Sequence, residues 1–189
     1  MTTFMTREEL ESVGFLSLGC DVSISRLAAI HYPERIAVGD HVRIDDFCYL
    51  SGLITIGNHV HLGSGVVVSA GNTGVVMDDY SGLSPKVIVI AESDDYTGET
   101  MTNSTVPLQY RSLVTGRVHI GRHVIVGAGS VVLPGVTISE GSSVGAMSLI
   151  NKDTEPWAIY IGVPARALKK RSRRMLELQA EFEEDVNGQ

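Results

Sequence analysis

Two adjacent carboxylates, Asp94 and Asp95, are the side chains in this sequence best suited to chemistry on a charged substrate. They stand in the polar stretch AESDDY, at residues 91–96. A carboxylate pair attracts a cationic amine and can accept its proton, so the pair favours chemistry on an amine over chemistry on a hydroxyl. Tyr96 follows directly and is expected to help bind the same substrate. The alternative is that both aspartates only shape a loop through hydrogen bonds between side chain and backbone.

Histidine is the side chain that exchanges a proton near neutral pH, and the chain contains six. His61 immediately precedes Leu62, which the repeat described below points inward, so the imidazole of His61 is expected to project outward. It is the leading histidine candidate for a catalytic role, and His123 is the second, as a substrate-binding residue. The others are expected to be structural or solvated: His31, His41, His59 and His119.

A second acidic pair follows the apolar Ile44. Asp45 stands where the repeat has a small residue and is expected to be structural, whereas Asp46 projects further and is expected to bind substrate hydroxyls. Three serines are possible hydroxyl donors, but serine is common at the corners of such folds and none is assigned a role: Ser64, Ser81 and Ser84.

An aliphatic repeat of period six positions these candidates. Its first clear run is Val38, Ile44, Leu50, Ile56, Leu62 and Val68, and its second is Ile120, Val126, Val132, Ile138, Val144 and Ile150. Period six fits neither an amphipathic helix nor an alternating strand. It fits short strands that meet at sharp corners, three to a triangular coil of about 18 residues. Each aliphatic side chain then points inward and stacks about 4.8 Å from its counterpart in the next coil.

Two interruptions break the repeat. A short one at residues 70–76 predicts a small turn pushed out at a corner. A long one at about residues 91–117 is polar and contains Pro107, which predicts an inserted loop. Loops of this length in a regular fold are usually functional or disordered, so the second interruption is the natural place for a site.

Three segments follow from this organisation. Residues 1–17 are expected to form a helical cap, because Thr6 and Glu9 have the spacing of a capping box. Residues 18–163 are expected to form the coil with its inserted loop. Residues 164–189 are expected to form a C-terminal helix, because apolar residues recur there at helical spacing.

Composition bounds the partners. The net charge is −7, which argues against nucleic acid, and the sequence contains no apolar run long enough to span a bilayer. Two cysteines do not make a disulfide framework, and the acidic N-terminal stretch does not look like a signal peptide, so the cytoplasm is the expected location. Six cations at residues 166–174 suit a small polyanionic ligand or, alternatively, a solvated helix with ion pairs such as Arg173 to Glu177.

The closing sequence carries a family resemblance. Residues 131–171, VVLPGVTISEGSSVGAMSLINKDTEPWAIYIGVPARALKKR, resemble the acetyltransferase branch of the hexapeptide-repeat family. The resemblance implies an all-β solenoid that is a left-handed parallel β-helix, although parallel crossovers are usually right-handed. It also implies a homotrimer with acetyl-CoA bound along the outside of the coil between subunits.

The same resemblance implies which residues meet the cofactor. Small residues would let the pantetheine arm approach the backbone: Gly127, Ala128, Gly145 and Ala146. A second set near the end of the coil would meet the nucleotide and its phosphates: Lys152, Pro164, Arg166 and Lys169. No metal is expected.

A narrower resemblance indicates the acceptor. The stretches HYPERIAVGDHVRIDDFCYLSG, MDDYSGLS and ESDDYTGE are similar to those of bacterial acyltransferases that act on nucleotide-linked amino-deoxysugars. One such substrate is dTDP-4-amino-4,6-dideoxyglucose, used for O-antigen synthesis. Many relatives have a histidine base at the start of the long loop, whereas this chain has Asp94 or Asp95 there. That departure favours transfer to an amine and leaves the base open.

Three other functions stay open. An O-acetyltransferase would act on a sugar hydroxyl, and a non-enzymatic hexapeptide scaffold would have no substrate. A zinc-dependent γ-type carbonic anhydrase needs three converging histidines, which the spacings His59-x-His61 and His119-x3-His123 suggest. The closing segment argues against that enzyme, because it has no coenzyme A to bind.

Overall fold

The aliphatic repeat folds as a left-handed parallel β-helix of about 7 turns with a helix at each end, as the sequence predicts. The structure, a computed structural model, describes residues 3–187, without the side chains of residues 186 and 187. The elements before the long loop are α1 (Arg7–Val13), β1 (Ser17–Leu18), β2 (Ser23–Ile24), β3 (Ala29–His31), β4 (Ile36–Val38), β5 (Arg43–Ile44), β6 (Tyr49–Ile56), β7 (His61–Leu62), β8 (Val67–Met77), β9 (Gly82–Leu83) and β10 (Ile88–Ile90).

The long loop and the second half of the coil complete the chain. The elements there are β11 (Glu92–Asp94), β12 (Leu113–Thr115), β13 (Val118–Ile120), β14 (Ile125–Val126), β15 (Val131–Val132), β16 (Thr137–Ile138), β17 (Ser143–Val144), β18 (Leu149–Ile150), β19 (Ala158–Ile161), β20 (Arg166–Lys170) and α2 (Met175–Asn187). Two short 3-10 helices lie at Pro33–Arg35 and Leu108–Tyr110.

The coil has three faces of stacked parallel strands. The first face contains β1, β4, the end of β6, the end of β8, β13 and β16. The second contains β2, β5, β7, β9, β14, β17 and β19. The third contains β3, the start of β6, the start of β8, β10, β15 and β18. The position of a residue is therefore described by its face and its coil, and these two determine which side chains lie beside it.

The interior is aliphatic because only the inward residue of each strand reaches it. Ile44, Leu62, Leu83 and Val126 are stacked on the second face in consecutive coils, and each is at most 1% exposed. Each fully buried side chain of this size contributes about 1.5–3 kcal/mol relative to exposure. Stability is shared along the stack, since each coil covers its neighbours.

One corner of the coil is held by side chains that bond to backbone. Asp40, Asn58 and Asp79 each accept a backbone N–H from the coil before, at 2.6, 2.8 and 2.7 Å. These carboxylate and amide oxygens occupy the space beside a glycine in the preceding coil. A Cβ on Gly57 would lie 2.5 Å from Asp79 Oδ1 and 2.9 Å from its backbone nitrogen, so this position requires glycine.

The short interruption at residues 70–76 differs from the prediction of a projecting turn. β8 continues through this corner as one strand and pairs with β6, and the extra residues are taken up as irregularities in the register. Glu92 secures them, because its Oε1 accepts the N–H groups of Asn72 at 2.6 Å and Thr73 at 3.3 Å. Glu92, near the start of the long loop, is therefore fixed to the strand beside it.

The two ends confirm one prediction and correct another. At the N-terminus Thr6 caps α1, and Glu9 completes the capping box. At the C-terminus the predicted helix from residue 164 is wrong for its first part, because residues 166–170 form β20, antiparallel to β19. This strand extends the second face beyond β19, and backbone pairing outweighs the helical spacing of the sequence. Residues 1, 2, 188 and 189 of the predicted segments lie outside the described part of the chain.

The first prediction concerns the corner glycines. Gly57→Ala is expected to destabilise the protein by about 1–3 kcal/mol, because its Cβ would collide with Asp79 Oδ1, which is held by a hydrogen bond, and with the backbone of Asp78 and Asp79. Gly82→Ala is the matched control, since its Cβ would meet the movable Ile125 Cδ1 at 3.3 Å and the His61 carbonyl oxygen at an ordinary contact distance of 3.7 Å. Denaturant unfolding of both variants measures the difference. Equal stability of Gly57→Ala and the parent protein would contradict the close stacking of the coils.

Candidate active site

The inserted loop presents one carboxylate that is held from both sides. Asp94 ends β11, and its Oδ1 lies 2.9 Å from Arg111 Nη2 while its Oδ2 accepts the Asn103 N–H at 3.1 Å. The hydrogen bonds from the Arg111 side chain and the Asn103 backbone hold the pKa of Asp94 below its ordinary value. A carboxylate has about four acceptor positions, so Asp94 keeps capacity for a further donor. It is a fixed anion.

Asp95 is used differently by the same loop. Its carboxylate accepts the N–H of Thr97 at 2.8 Å and the hydroxyls of Thr97 and Thr100 at 2.9 and 3.3 Å. The Thr97 backbone bond is the main cause of its lowered pKa. This geometry matches the loop-shaping alternative for Asp95. Tyr96, next in the chain, is 90% exposed.

His61 projects outward from the second face, as its place before Leu62 predicts. Its Nε2 lies 2.8 Å from Oδ2 of Asp45, and the other oxygen of Asp45 lies 2.8 Å from Arg43 Nε. Burial raises the pKa of Asp45, but the hydrogen bonds from Arg43 and His61 outweigh it and the net change is downward. Asp45, expected to be only structural, therefore holds the imidazole.

Asp46 is half-buried and joins two coils through one oxygen. Its Oδ1 accepts the hydroxyl of Ser25 at 2.5 Å, and Ser25 is fully buried in the preceding coil. The repeat pattern contains no signal for this contact between coils. The substrate-binding role expected for Asp46 stays a prediction.

A row of small residues lies at the corner where the second face ends. The strand register aligns Gly63, Ser84, Gly127 and Gly145, one from each successive coil. The sequence alone gives Ser84 no role, although its neighbours in the adjacent coils on both sides are glycines. No side chain from either adjacent coil covers it at this position. A half-buried hydroxyl in such a gap is accessible to a ligand.

The glycines of this row are required by the fold itself. A Cβ on Gly127 would lie 2.4 Å from the nitrogen of Ala146, and one on Gly145 would lie 2.8 Å from Ile161 Cγ2. Their missing side chains face the next coil rather than solvent. Ala128 and Ala146, which follow them, are exposed and form the surface that a ligand could approach.

The closing hairpin brings two of the predicted cations together. Lys152 and Arg166 line one cavity of about 300 Å³ with Tyr160, at the C-terminal end of the coil. Pro164 lies in the connection between β19 and β20, after a cis peptide bond from Val163. Lys169 lies further along β20 and does not line this cavity.

The rest of the basic segment packs on the coil instead of forming a helix with internal ion pairs. Arg171 Nη1 donates to three backbone carbonyls, those of His123, Gly141 and Ser142. The guanidinium of Arg173 lies 5.3 Å from the centroid of Trp157. Both cations anchor the hairpin, so they are less available to a ligand than Lys152 and Arg166.

An aromatic ladder explains where His123 goes. Rings at one corner stack in consecutive order: His41 on His59 at 4.6 Å, His59 on Tyr80 at 4.8 Å and Tyr80 on His123 at 5.3 Å. All four residues have a positive φ between 54° and 59°. Histidine is among the residues that tolerate this left-handed conformation best, which explains its recurrence at the corner.

The C-terminal helix covers this ladder. Phe182 packs edge-on against His59 at 5.5 Å, and the hydroxyl of Tyr80 donates to Glu183 at 2.9 Å. His123 is only 8% exposed, so the expectation that it binds substrate is not met by its position. Burial lowers the pKa values of both His59 and His123.

One chain does not bring all the predicted site residues together. His61 lies on the second face, whereas the loop that carries Asp94 leaves the opposite corner, between the third and first faces. No hydrogen bond or ion pair joins His61 to residues 91–117 within the described part of the chain. His119 lies on the first face beside Asp78, at 2.8 Å, so it does not converge with His59 and His61 either.

Comparisons with known proteins identify the family. The profile of the bacterial transferase hexapeptide family (six repeats) matches residues 117–152. A dTDP-4-amino-4,6-dideoxy-D-glucose acyltransferase from Escherichia coli is 36% identical over 98% of this chain and 97% of its own length. The chain belongs to the hexapeptide-repeat acyltransferases.

Solved structures of such acyltransferases include a near match. AntD, an N-acyltransferase from Bacillus cereus, is 43% identical, with a TM-score of 0.97 over 98% of this chain and 100% of its own. The galactoside O-acetyltransferase of E. coli K12 is 27% identical over 72% of this chain. In the described part of this acyltransferase no helix is long and apolar enough to cross a membrane, and no group of three or more His, Cys, Asp or Glu residues is placed to hold a metal.

The second prediction follows from the ladder. His59 is held neutral by burial, so the unfolded chain takes up a proton first as the pH falls below 6.5. Stability is therefore complete above that value and decreases below it. His59→Phe keeps the stacking but removes the proton, so the fall in Tm between about pH 7.5 and about pH 5.5 is expected to shrink.

Thermal unfolding at several pH values measures this effect. The control is His31→Phe, because His31 is an exposed histidine outside the ladder. It is expected to leave the pH dependence of Tm as in the parent protein. An unchanged pH dependence in His59→Phe would show that the ladder histidine does not titrate on unfolding.

Proposed function

We propose that this acyltransferase transfers an acyl group from coenzyme A to the amino group of a dTDP-linked 4-amino-4,6-dideoxyhexose. The observation that carries the proposal is Asp94, an anion fixed by a nearly buried arginine on the single large insertion of the coil. Full-length similarity to AntD supports it, since AntD has been solved with dTDP-4-amino-4,6-dideoxyglucose and coenzyme A. The product would enter surface polysaccharide synthesis, such as that of O-antigen, in the cytoplasm.

Asp94 would receive the ammonium form of the sugar amine. Its lowered pKa makes it a weak base and a good anchor, because it stays charged and can accept a hydrogen bond from the amine. Once neutral, the amine nitrogen attacks the thioester carbon, the C–S bond breaks, and the amine proton leaves. Asp95, whose oxygens are occupied by threonines, would instead keep the loop in shape.

Coenzyme A would lie along the exposed corner beside the small-residue row. Ala128 and Ala146 leave room for the pantetheine arm, and the cavity lined by Lys152 and Arg166 offers cations to the phosphates. Acetyl-CoA is the proposed donor. AntD has also been solved with 3-hydroxybutyryl-CoA, so a larger acyl group is the alternative.

Ser84 is added to the proposed site. Its hydroxyl lies between two glycines of the row, where it can donate to the developing oxyanion of the thioester. AntD has been solved as S84A and S84C variants with the amino-sugar and coenzyme A bound, and as D94A and D94N variants. This chain has a serine and an aspartate at the same two numbers.

The site would lie between subunits of a homotrimer. Within one chain the loop with Asp94 and the corner with Ala128 and Ala146 are separated, because the loop leaves the coil between the third and first faces, whereas that corner lies between the second and third faces. A second copy that places its loop against the corner would complete the site. Three-fold cyclic symmetry, with its head-to-tail interfaces, would then give every corner one loop.

The third prediction tests the reaction. Purified protein is mixed with acetyl-CoA or 3-hydroxybutyryl-CoA and dTDP-linked sugars with a 4-amino, a 3-amino or no amino group. Free thiol and an acylated product are expected with the 4-amino sugar. Asp94→Asn is expected to lower kcat/KM by about 100-fold, since it removes a charge-assisted hydrogen bond. Asp95→Asn, the adjacent control, is expected to lower it less than Asp94→Asn.

The other outcomes distinguish the alternatives. Acylation of a sugar without an amino group would replace the proposal with an O-acetyltransferase. If coenzyme A binds but no sugar in the panel is acylated, the proposed amino-sugar acceptor is wrong. No binding of coenzyme A by calorimetry would favour a non-enzymatic scaffold.

The fourth prediction tests the shared site. Ala146→Phe is expected to block the proposed coenzyme A groove, and Asp94→Asn to impair the loop, so each variant alone is nearly inactive. Co-expressed subunits should regain up to about a quarter of parent activity, because random mixing gives that share of interfaces an intact loop and an intact groove. No recovery in mixed assemblies, confirmed by mass spectrometry, would place the whole site in one subunit.

A further inference from the structure

The proposed reaction needs an acceptor for the proton of the sugar amine, and Asp94 is a poor one. At neutral pH the amine is largely protonated, and an ammonium has no lone pair with which to attack a thioester. Asp94 remains anionic because Arg111 and the Asn103 N–H hold it. A second group with a free lone pair would complete the site, and this inference rests on the function proposed above.

His61 is the exposed histidine nearest the small-residue row. It lies on β7, two residues before Gly63, and its strand neighbour in the next coil is Gly82. Ser84 lies in the same coil as Gly82 and is aligned with Gly63 of the preceding coil. The imidazole of His61 and the hydroxyl of Ser84 therefore belong to adjacent coils at the end of the second face. Two residues along a strand span about 7 Å and adjacent coils lie about 4.8 Å apart. One small sugar bridges such a separation.

Asp45 determines which nitrogen of His61 is available. A carboxylate only accepts hydrogen bonds, so the His61 nitrogen bonded to it, Nε2, carries the hydrogen. In the neutral ring Nδ1 then has the free lone pair. Within residues 3–187 Nδ1 of His61 has no hydrogen-bond partner. The contact with Asp45 therefore leaves the lone pair of His61 Nδ1 available beside the row of small residues.

The surroundings of the ring are simple. The charged groups against His61 are Asp45 and Arg43, both from β5 and the residue after it. On its other side the next coils contribute Gly82 and Ile125, which carry no charge. Arg43 binds the other oxygen of Asp45 and fixes the carboxylate, so the imidazole is held by one anion that cannot rotate away.

A second histidine–aspartate pair in the same chain sharpens the assignment. His119 Nε2 lies 2.8 Å from Asp78 Oδ2, the same distance as in the pair of His61 and Asp45. It lies on the first face, whereas the row with Ser84 ends the second face. The two pairs share chemistry and differ in location, so the second pair is an internal control.

We propose that His61 accepts the proton of the sugar ammonium through Nδ1, and that Asp45 is the positioning residue that holds it for this step. The N–H bond of the ammonium breaks and its proton passes to Nδ1. The amine nitrogen then forms the amide bond while the C–S bond breaks, and the thiolate of coenzyme A takes the proton that the nitrogen still loses. The imidazolium returns its proton to solvent.

The fifth prediction compares four variants in the parent assay. His61→Ala is expected to lower kcat by about 100-fold with little change in the KM of acetyl-CoA, and added imidazole should restore part of it. Asp45→Asn is expected to lower kcat about tenfold, and Asp45→Glu should recover activity toward the parent. Asp78→Asn is the control and is expected to keep the parent rate.

Chemical rescue separates proton transfer from a structural role. Added imidazole should raise the kcat of folded His61→Ala and should leave the kcat of Asp78→Asn unchanged, because only the first variant lacks the proton acceptor. A parent-like kcat in Asp45→Asn, or no rescue of folded His61→Ala by imidazole, overturns the inference while acyl transfer by the parent stands. No transfer by the parent overturns both proposals.

Discussion

The close approach of successive coils is the constraint on which the rest of this molecule depends. Parallel strands about 4.8 Å apart leave no space for a Cβ at several corners, so Gly57 and Gly127 are fixed by backbone contact. The same spacing stacks the inward aliphatic residues into a dry interior. It also brings outward side chains of adjacent coils into hydrogen-bonding distance, as with His61 and Asp45. The spacing between coils therefore determines both the packing of the interior and the contacts between outward side chains.

A rigid coil with an aliphatic interior leaves only two places for chemistry. One is the outer surface, where a side chain meets its neighbours at fixed spacing, and the other is an insertion that interrupts the repeat. The proposed site uses both: Asp94 is carried by the insertion and held by Arg111, while His61 is held on the surface by Asp45. The inserted loop lies outside the stacked coils, so it is held in place by the nearly buried ion pair between Arg111 and Asp94.

The sequence predicts the coil well because period six is a property of every inward position. It predicts single outward residues poorly, since their partners come from coils about 18 residues away. Asp46 turned toward Ser25, and His123 joined an aromatic ladder beneath α2. The recurrence of histidine and tyrosine at left-handed corner positions was a usable signal, because few residue types tolerate positive φ. Strand β20 escaped prediction since edge pairing with β19 overrides helical spacing.

Two histidine–aspartate pairs with the same 2.8 Å contact show why geometry alone does not assign a role. A carboxylate beside an imidazole is a frequent way to satisfy an outward histidine on a coil, so most such pairs need no function. What separates His61 from His119 is its place beside the row of small residues, where backbone is accessible and Ser84 can donate. Function on this fold is therefore decided by which face and which coil a pair occupies, and in the proposed trimer a neighbouring subunit would supply Asp94 across that corner.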